Sequence, residues 1–305
     1  MAKKKSNRPA CFSTKIDPGL VSKLKEDLLA QEFILTQPNY TQFQAKKKGI
    51  SLTLYESGVL TVQGKEKDSF LEFYLEPEIL QDFSYTHPTA NIDTTARIGI
   101  DEAGKGDFFG PLCTVGVYAT GPQIEKLAEI GVKDSKRFND ASILKIGKEI
   151  QKIVTSHSVI IFPEKYNELY GKIKNLNHLL AWCHITCMEA LSKKTGCNKV
   201  ILDQFAHESL IINFLKKKKL SLEVTQIVRA EADVVVASAS ILARMAFVQG
   251  IDKLSEKWNL TFPKGASQKV LEVGKEFCFR NGMDKLPLVA KKHFKTFGEI
   301  ERNIK

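Results

Sequence analysis

The rhythm of hydrophobic and polar positions changes once along this chain. After Asp17-Pro-Gly19, the residues Leu20, Val21, Leu24, Leu28 and Leu29 recur at helical spacing and predict a first helix. Short alternating stretches follow at 41–45, 51–55, 59–63 and 69–75, read as strands, with Lys46-Lys-Lys-Gly49 and Glu56-Ser-Gly58 as hairpin turns. Residues 86–96 lose all periodicity and are rich in turn formers, which makes them a linker. Beyond it, strands alternate with longer helices. Strands are predicted at 97–100, 112–118, 159–162 and 199–202, and helices at 122–130, 141–154, 176–192, 209–215 and most of 233–257. The pattern predicts a small α+β domain over 1–85, the linker 86–96, and an α/β domain over 97–305 with helices flanking a sheet.

Composition supports that division. A chain of 305 residues is long for one domain, and 43% hydrophobic with 26% charged residues is ordinary for a globular protein. The net charge of +10 is uneven: the first ninety residues hold 12 basic and 11 acidic side chains, so the rest carries +9. Such an excess suits a polyanionic partner. The uncharged apolar stretch 234–243 ends at Arg244, far short of the roughly 20 residues a bilayer requires, and the basic start Met1-Ala-Lys-Lys-Lys lacks the apolar core of a secretory signal. No membrane role is expected. Six scattered cysteines without a CxxC pair indicate a reduced, cytoplasmic protein. Cys183 and Cys187, four apart on a helix, are expected to pack as small hydrophobes rather than to hold a metal.

The chemistry-bearing residues are acids at the ends of predicted strands. Ile98-Gly-Ile-Asp101-Glu102 places two adjacent carboxylates at a strand terminus, and neighbours on a strand can share a site only where it ends or twists. The turn Gly104-Lys105-Gly106 that follows combines a bare backbone with a cation and would suit a phosphate-bearing substrate; taken alone it is also an ordinary solvated turn. Val200-Ile-Leu-Asp203 ends another strand in an acid, where helix capping is the plainer alternative. Glu231 and Asp233 precede an apolar helix, where acids often serve the helix dipole. Taken jointly, carboxylates gathered at element ends repel unless cations neutralise them, and oxygen-only donors select Mg²⁺ or Mn²⁺. Two such ions about 4 Å apart can activate water and stabilise a leaving oxygen in phosphodiester hydrolysis.

The run Asp101-Glu-Ala-Gly-Lys-Gly-Asp-Phe-Phe-Gly-Pro111 resembles the signature of the type 2 ribonucleases H. Lys133-Asp-Ser-Lys136, Leu202-Asp-Gln-Phe205 and Ser238-Ala-Ser-Ile-Leu-Ala-Arg244 follow in the family's order. The ninety-residue extension before the signature, with Asn175-Leu-Asn177 and Phe262-Pro-Lys-Gly-Ala-Ser267, is similar to the HIII branch. The resemblance implies a ribonuclease H-like mixed sheet with flanking helices, preceded by a domain similar to half of the TATA-binding protein that holds substrate. It implies an endonuclease cutting the RNA strand of RNA–DNA hybrids with Mg²⁺ or Mn²⁺, leaving 5′-phosphate and 3′-hydroxyl ends. It implies Asp101, Glu102 and Asp203 as metal-binding catalytic acids, with Glu231 the preferred fourth and Asp233 the alternative. Gly104, Lys105 and Gly106 would then meet ribose 2′-hydroxyls, the groups that separate RNA from DNA. Lys133, Ser135 and Lys136 would hold a phosphate, and Asn175 and Asn177 would contact the backbone or cap a helix.

The first domain is less legible. Phe43, Leu52, Leu54, Leu60 and Val62 fit either a flat reading surface or a core, with core expected for about half of them because alternation requires one face to pack. Lys46, Lys47 and Lys48 are equally a substrate contact or a solvated tip, and the run Lys216 to Lys219 reads as a loop. Two rival functions remain. One is HII-like incision at a single ribonucleotide in duplex DNA, which in the family involves a C-terminal Tyr, whereas no Tyr follows Tyr170 here. The other is a non-catalytic nucleic-acid-binding protein, which would gain only phosphate repulsion from the acids. A monomer is expected.

Overall fold

The chain divides into two compact units, Met1–Ile92 and Asp93–Lys305. The computed structural model describes residues 10–82, 85, 92–132, 138–228 and 230–304, so most of the predicted linker lies outside the described residues.

In the first unit, strands β1 (Cys11–Lys15), β2 (Ile34–Thr36), β3 (Thr41–Lys47), β4 (Ile50–Tyr55) and β5 (Val59–Gly64) form an antiparallel sheet in the order β1-β5-β4-β3-β2. Helix α1 (Val21–Ala30) follows a turn in which the Asp17 side chain accepts from Gly19 N at 2.8 Å. Register explains the core. Leu52 lies opposite Ala45 and Val62, and Leu54 opposite Phe43 and Leu60, so all five candidates of doubtful role share one face. All five are buried with Leu24 and Leu28 of α1, and none is left for a reading surface. The opposite face carries polar groups such as Gln44 and Thr53, hydrogen-bonded at 3.1 Å.

The expected strand at 69–75 is helical. It comprises α2 (Lys67–Phe70) and a wide π-type stretch, Leu71–Leu80. Leu71, Leu75 and Ile79 recur every four residues and are buried, while Phe73 is exposed. A short apolar run cannot be assigned by periodicity alone, and the packing period decides it here.

The second unit is built on a mixed sheet of β6 (Arg97–Ala103), β7 (Leu112–Ala119), β8 (Thr155–Ile161), β9 (Lys199–Asp203) and β10 (Glu223–Ile227), ordered β10-β9-β6-β7-β8. The central β6 pairs antiparallel with β7 and parallel with β9. Helices α3 (Gly121–Glu129), α4 (Asp140–Ile153), α5 (Pro163–Ile173), α6 (Leu176–Thr195), α7 (Glu208–Lys218), α8 (Val234–Trp258), α9 (Gln268–Asn281) and α10 (Lys295–Ile304) complete it. Lys216, Lys217 and Lys218 form the last turn of α7 and Lys219 its left-handed cap, not a loop; cations there complement the helix dipole.

Helices α8 and α6 cover β6 from opposite sides. A Cβ at Gly99 would lie 2.6 Å from backbone atoms of Val235 and Val236, so only a glycine lets α8 rest directly on the strand. On the other side Ile98 and Ile100 pack with Ala181, Ile185 and Met188 of α6. Helix α8, with 25 residues, is long and apolar enough to cross a bilayer by length and composition, but 72% of its most apolar window is buried in the unit. It is the central core helix. Phe108 and Phe109, between β6 and β7, insert among Phe262, Phe277 and Leu286 and tie the strand loop to the C-terminal helices.

Candidate active site

Parallel pairing brings two acids to one place. Ile98, Gly99 and Ile100 of β6 stand opposite Val200, Ile201 and Leu202 of β9, so the same register sets Asp101 beside Asp203 where both strands run out. Residues at equivalent positions of a parallel pair face the same side. Alternation aims Gly99 and Asp101 at α8, and Ile98, Ile100 and Glu102 at α6. Accordingly, Asp101 is hydrogen-bonded to Ser240 of α8, and its Oδ1 accepts from Glu102 N at 2.8 Å. Glu102, with a side chain only 5% exposed, accepts from His184 Nε2 of α6 at 3.0 Å. Strand β6 ends at Ala103, and the turn returns Lys105 to Glu102, with Nζ 2.6 Å from Oε1.

The electrostatics follow from this crowding. Burial, then the Glu102 charge, raises the Asp101 carboxyl above its usual range. Burial also acts upward on Glu102, but the His184 hydrogen bond and charge, reinforced by Lys105, prevail and hold it below the usual range. For Lys105, burial works downward and is outweighed by Glu102 first, then by Asp101 and Asp203, so its ammonium is held above the ordinary value.

The acids after β10 divide their tasks. Asp203 Oδ1 accepts from Ala230 N at 3.1 Å, so the short turn Ala230–Ala232 is tethered at that carboxylate. Glu231 lies in this turn; its side chain is outside the described residues. The alternative, Asp233, is engaged elsewhere. Its Oδ1 caps α8 through Val235 N at 2.8 Å and Val236 N at 3.2 Å, and its Oδ2 accepts from the buried Arg97 Nε at 2.8 Å.

The turn glycines differ in kind. Gly104 has φ +86°, and a Cβ there would collide with the Pro111 carbonyl oxygen. Gly106 is exposed, and a Cβ there would meet nothing within 4 Å. Asn175 is the N-cap of α6, accepting from His178 N at 3.2 Å, and Asn177 is exposed in the first turn of that helix. Lys133, Ser135 and Lys136 lie outside the described residues.

The family model for Ribonuclease HII matches residues 98–297, and a domain of unknown function (DUF3378) matches residues 12–87. A ribonuclease HIII of Protochlamydia amoebophila is 51% identical over 289 residues, covering 95% of this chain and 96% of the relative. One from Chlamydia pneumoniae is 45% identical, covering 96% and 98%. This chain belongs to the ribonuclease HIII family. Among solved structures, Bst-RNase HIII in complex with Mn²⁺ superposes with TM-score 0.67 at 25% identity over 97% of this chain and 99% of that one. The ribonuclease H2 of Pyrococcus horikoshii matches with TM-score 0.59 at 25% identity over 68% of this chain and 98% of that one. The ribonuclease HIII fold is therefore shared through nearly the whole length, and the chain is a ribonuclease H enzyme.

Among the described residues, no three His, Cys, Asp or Glu side chains already stand together as a metal-holding group. The donor chemistry nevertheless suits a hard cation. Asp101, Glu102 and Asp203 offer carboxylate oxygens, and all three act on the single ammonium of Lys105, which stands where positive charge is drawn. Two supporting residues went unrecognised in the sequence. His184 has the aspect of one more core position on α6, and nothing in its spacing reveals that it meets Glu102 across the sheet. Arg97 begins β6 as an apparently ordinary surface charge, yet it is buried against Asp233.

Removing a repelling charge should stabilise the metal-free ribonuclease. The Asp101 carboxyl is raised in the folded protein, so ionising it opposes folding at any pH above the ordinary carboxylate range of about 4. Asp101→Asn is expected to raise the metal-free unfolding midpoint at neutral pH by about 2–4 °C, with the gain vanishing near pH 4. Calorimetry at the two pH values checks this, and a lower midpoint at neutral pH would contradict the repulsion.

Proposed function

We propose that this chain is an endonuclease that hydrolyses the RNA strand of RNA–DNA hybrids, with Asp101, Glu102, Asp203 and Glu231 holding two Mg²⁺ or Mn²⁺ ions. The observation that carries the reading is the pair of carboxylates ending β6, that of Glu102 nearly enclosed, set by parallel register beside Asp203, in a chain of the ribonuclease HIII family. A relative solved with Mn²⁺ supports a divalent ion, and oxygen donors suit Mg²⁺ equally. The Ala230 tether supports Glu231 as the fourth acid, because it ties that turn to Asp203 while Asp233 serves Arg97 and the helix cap.

Bound cations would lower the pKa of an attacking water and neutralise the leaving 3′-oxygen, giving 5′-phosphate and 3′-hydroxyl ends. The protein keeps the acids in place. Ser240 and the Glu102 amide orient Asp101, His184 orients Glu102, and the Ala230 amide orients Asp203. Lys105, once released from Glu102, reaches toward the substrate phosphate. Gly104 shapes the turn, and Gly106 leaves room for a ribose. Lys133, Ser135, Lys136 and Asn177 complete the phosphate contacts in this reading, while Asn175 acts by starting α6. Residues 1–85, as a TATA-binding-protein-like domain joined through 86–96 to the catalytic 97–305, would hold the duplex. The protein would act as a cytoplasmic monomer, consistent with six free cysteines.

The deciding assay offers an RNA–DNA hybrid, duplex RNA, duplex DNA and a single-ribonucleotide duplex, each with Mg²⁺ or Mn²⁺. Cutting of the hybrid, abolished by Asp101→Asn, is expected; an uncut hybrid would sink the reading, and preferred incision at the single ribonucleotide would move it to the HII type. Glu231→Gln should abolish cutting with stability intact. Asp233→Asn should lower stability by about 3 kcal/mol or more, as breaking a buried pair does, while its folded fraction still cuts. The reverse pattern would make Asp233 the fourth acid. Gly106→Ala should leave the unfolding midpoint unchanged or slightly higher. Its KM for hybrid should rise about tenfold, roughly the effect of one lost hydrogen-bonded contact; an unchanged KM would free Gly106 of any substrate role.

A further inference from the structure

Lys291 has no exposed surface, and among the described residues no carboxylate stands within ion-pair range of it. An unpaired buried cation is costly unless its donors are satisfied. Its Nζ instead donates to three main-chain carbonyls, Asp107 O at 2.7 Å, Gly110 O at 2.8 Å and Phe109 O at 3.5 Å, and lies 5.7 Å from the Tyr166 ring centroid. Its own backbone N–H donates to Phe108 O at 3.0 Å. One residue thus serves four consecutive carbonyls of the segment between β6 and β7.

Phe108 and Phe109 are buried beside these carbonyls, and without the Lys291 ammonium those of Asp107, Phe109 and Gly110 would lose the side-chain donor that serves them. The same segment is held at two further points. Phe108 N donates to Gly265 O at 2.9 Å and Gly110 N to Val289 O at 3.1 Å, while Asp107 Oδ1 accepts from Gly265 N at 2.6 Å. Above this anchorage stand Lys105, ion-paired to Glu102, and Gly106, both exposed.

We propose that Lys291 is a positioning residue for substrate recognition: its ammonium, gripping the carbonyls of Asp107, Phe109 and Gly110 from beneath, fixes the pose in which the turn 104–106 meets the ribose. The substrate half of this inference rests on the hybrid-cleaving reading; the grip on the loop does not. Burial brings the Lys291 ammonium down to about 8, although Asp107 and Cys113 act in the opposite direction. The other ionisable groups packed around it are Tyr166 of α5 and His293 of its own segment, whose pKa is lowered by burial and by Lys291 itself. The grip is therefore full at neutral pH and loosens through about pH 8.

The test uses the full-length protein. Hydrogen exchange, corrected for intrinsic rates, is measured over 104–110 in the metal-free wild type and in Lys291→Met. Losing hydrogen bonds to a charged group should reduce loop protection about tenfold in the variant, and in the wild type between about pH 7 and about pH 9.5, with β7 unchanged. With Mg²⁺ present, the variant's KM for hybrid should rise about tenfold while kcat moves less than about threefold. A merely structural lysine would lower the folded fraction, so kcat would fall at constant KM. That result, or unchanged loop protection, overturns the proposal. If Lys291→Met does not fold, Lys291→Gln takes its place, and the same loop-protection and KM outcomes decide. A wild type that leaves hybrid uncut would defeat the functional reading, while the exchange arm would still judge the grip.

Discussion

The site depends on keeping carboxylates charged in a place that disfavours charge. Asp101 and Glu102 end a strand buried between two helices, and each pK unit of displacement corresponds to about 1.4 kcal/mol of strain between protonation states. The protein answers with one donor set per acid. His184 and Lys105 act on Glu102, Ser240 and a backbone amide on Asp101, and the Ala230 amide on Asp203. Asp101 is still held above its usual range, so the protein alone leaves its charge incompletely compensated. In the proposed reading, a cation from outside completes that compensation.

That geometry has its own anchor at the other end of β6. Arg97 opens the strand and grips Asp233, which opens α8. From there the chain runs four residues along the strand to Asp101 and seven along the helix to Ser240, roughly 13 Å and 10 Å respectively. The two paths are close enough in length that the helix hydroxyl arrives beside the strand carboxylate. Gly99, between them, removes the Cβ that would hold the elements apart. A buried ion pair remote from the chemistry thus sets the position of a hydrogen bond within it.

Legibility followed range along the sequence. The strands ending in Asp101 and Asp203 could be read because apolar runs stopping at acids are local signals, and the helices 176–192 and 233–257 could be read because their periodicity is long. The segment 69–75 could not, because seven residues with apolar side chains at 70, 71, 73, 74 and 75 satisfy neither period and only packing of Leu71, Leu75 and Ile79 chooses the helix. The five apolar residues of the first sheet were ambiguous for a similar reason: alternation says they share a face, not that a helix covers it. His184 and Lys291 were invisible because each acts on a partner about eighty or more residues away. Asp233 was visible as an acid but not as the partner of Arg97, and that partner changes its meaning.

The signature run 101–111 shows why a motif cannot be assigned wholesale to function. Phe108 and Phe109 are core anchors, and Gly104 and Gly110 are glycines because their backbones adopt positive φ in crowded surroundings. Asp107 spends its carboxylate on a loop amide. Only Lys105 and Gly106 are both exposed and free of a fold-imposed residue type, since Lys105 is half solvent-facing and Gly106 has open space around it. The fold does not require a glycine at Gly106, which is why the proposed ribose contact is placed there. The rest of the run is scaffolding that brings this short tip, the strand-end acids and the C-terminal segment bearing Lys291 into a single mechanical unit.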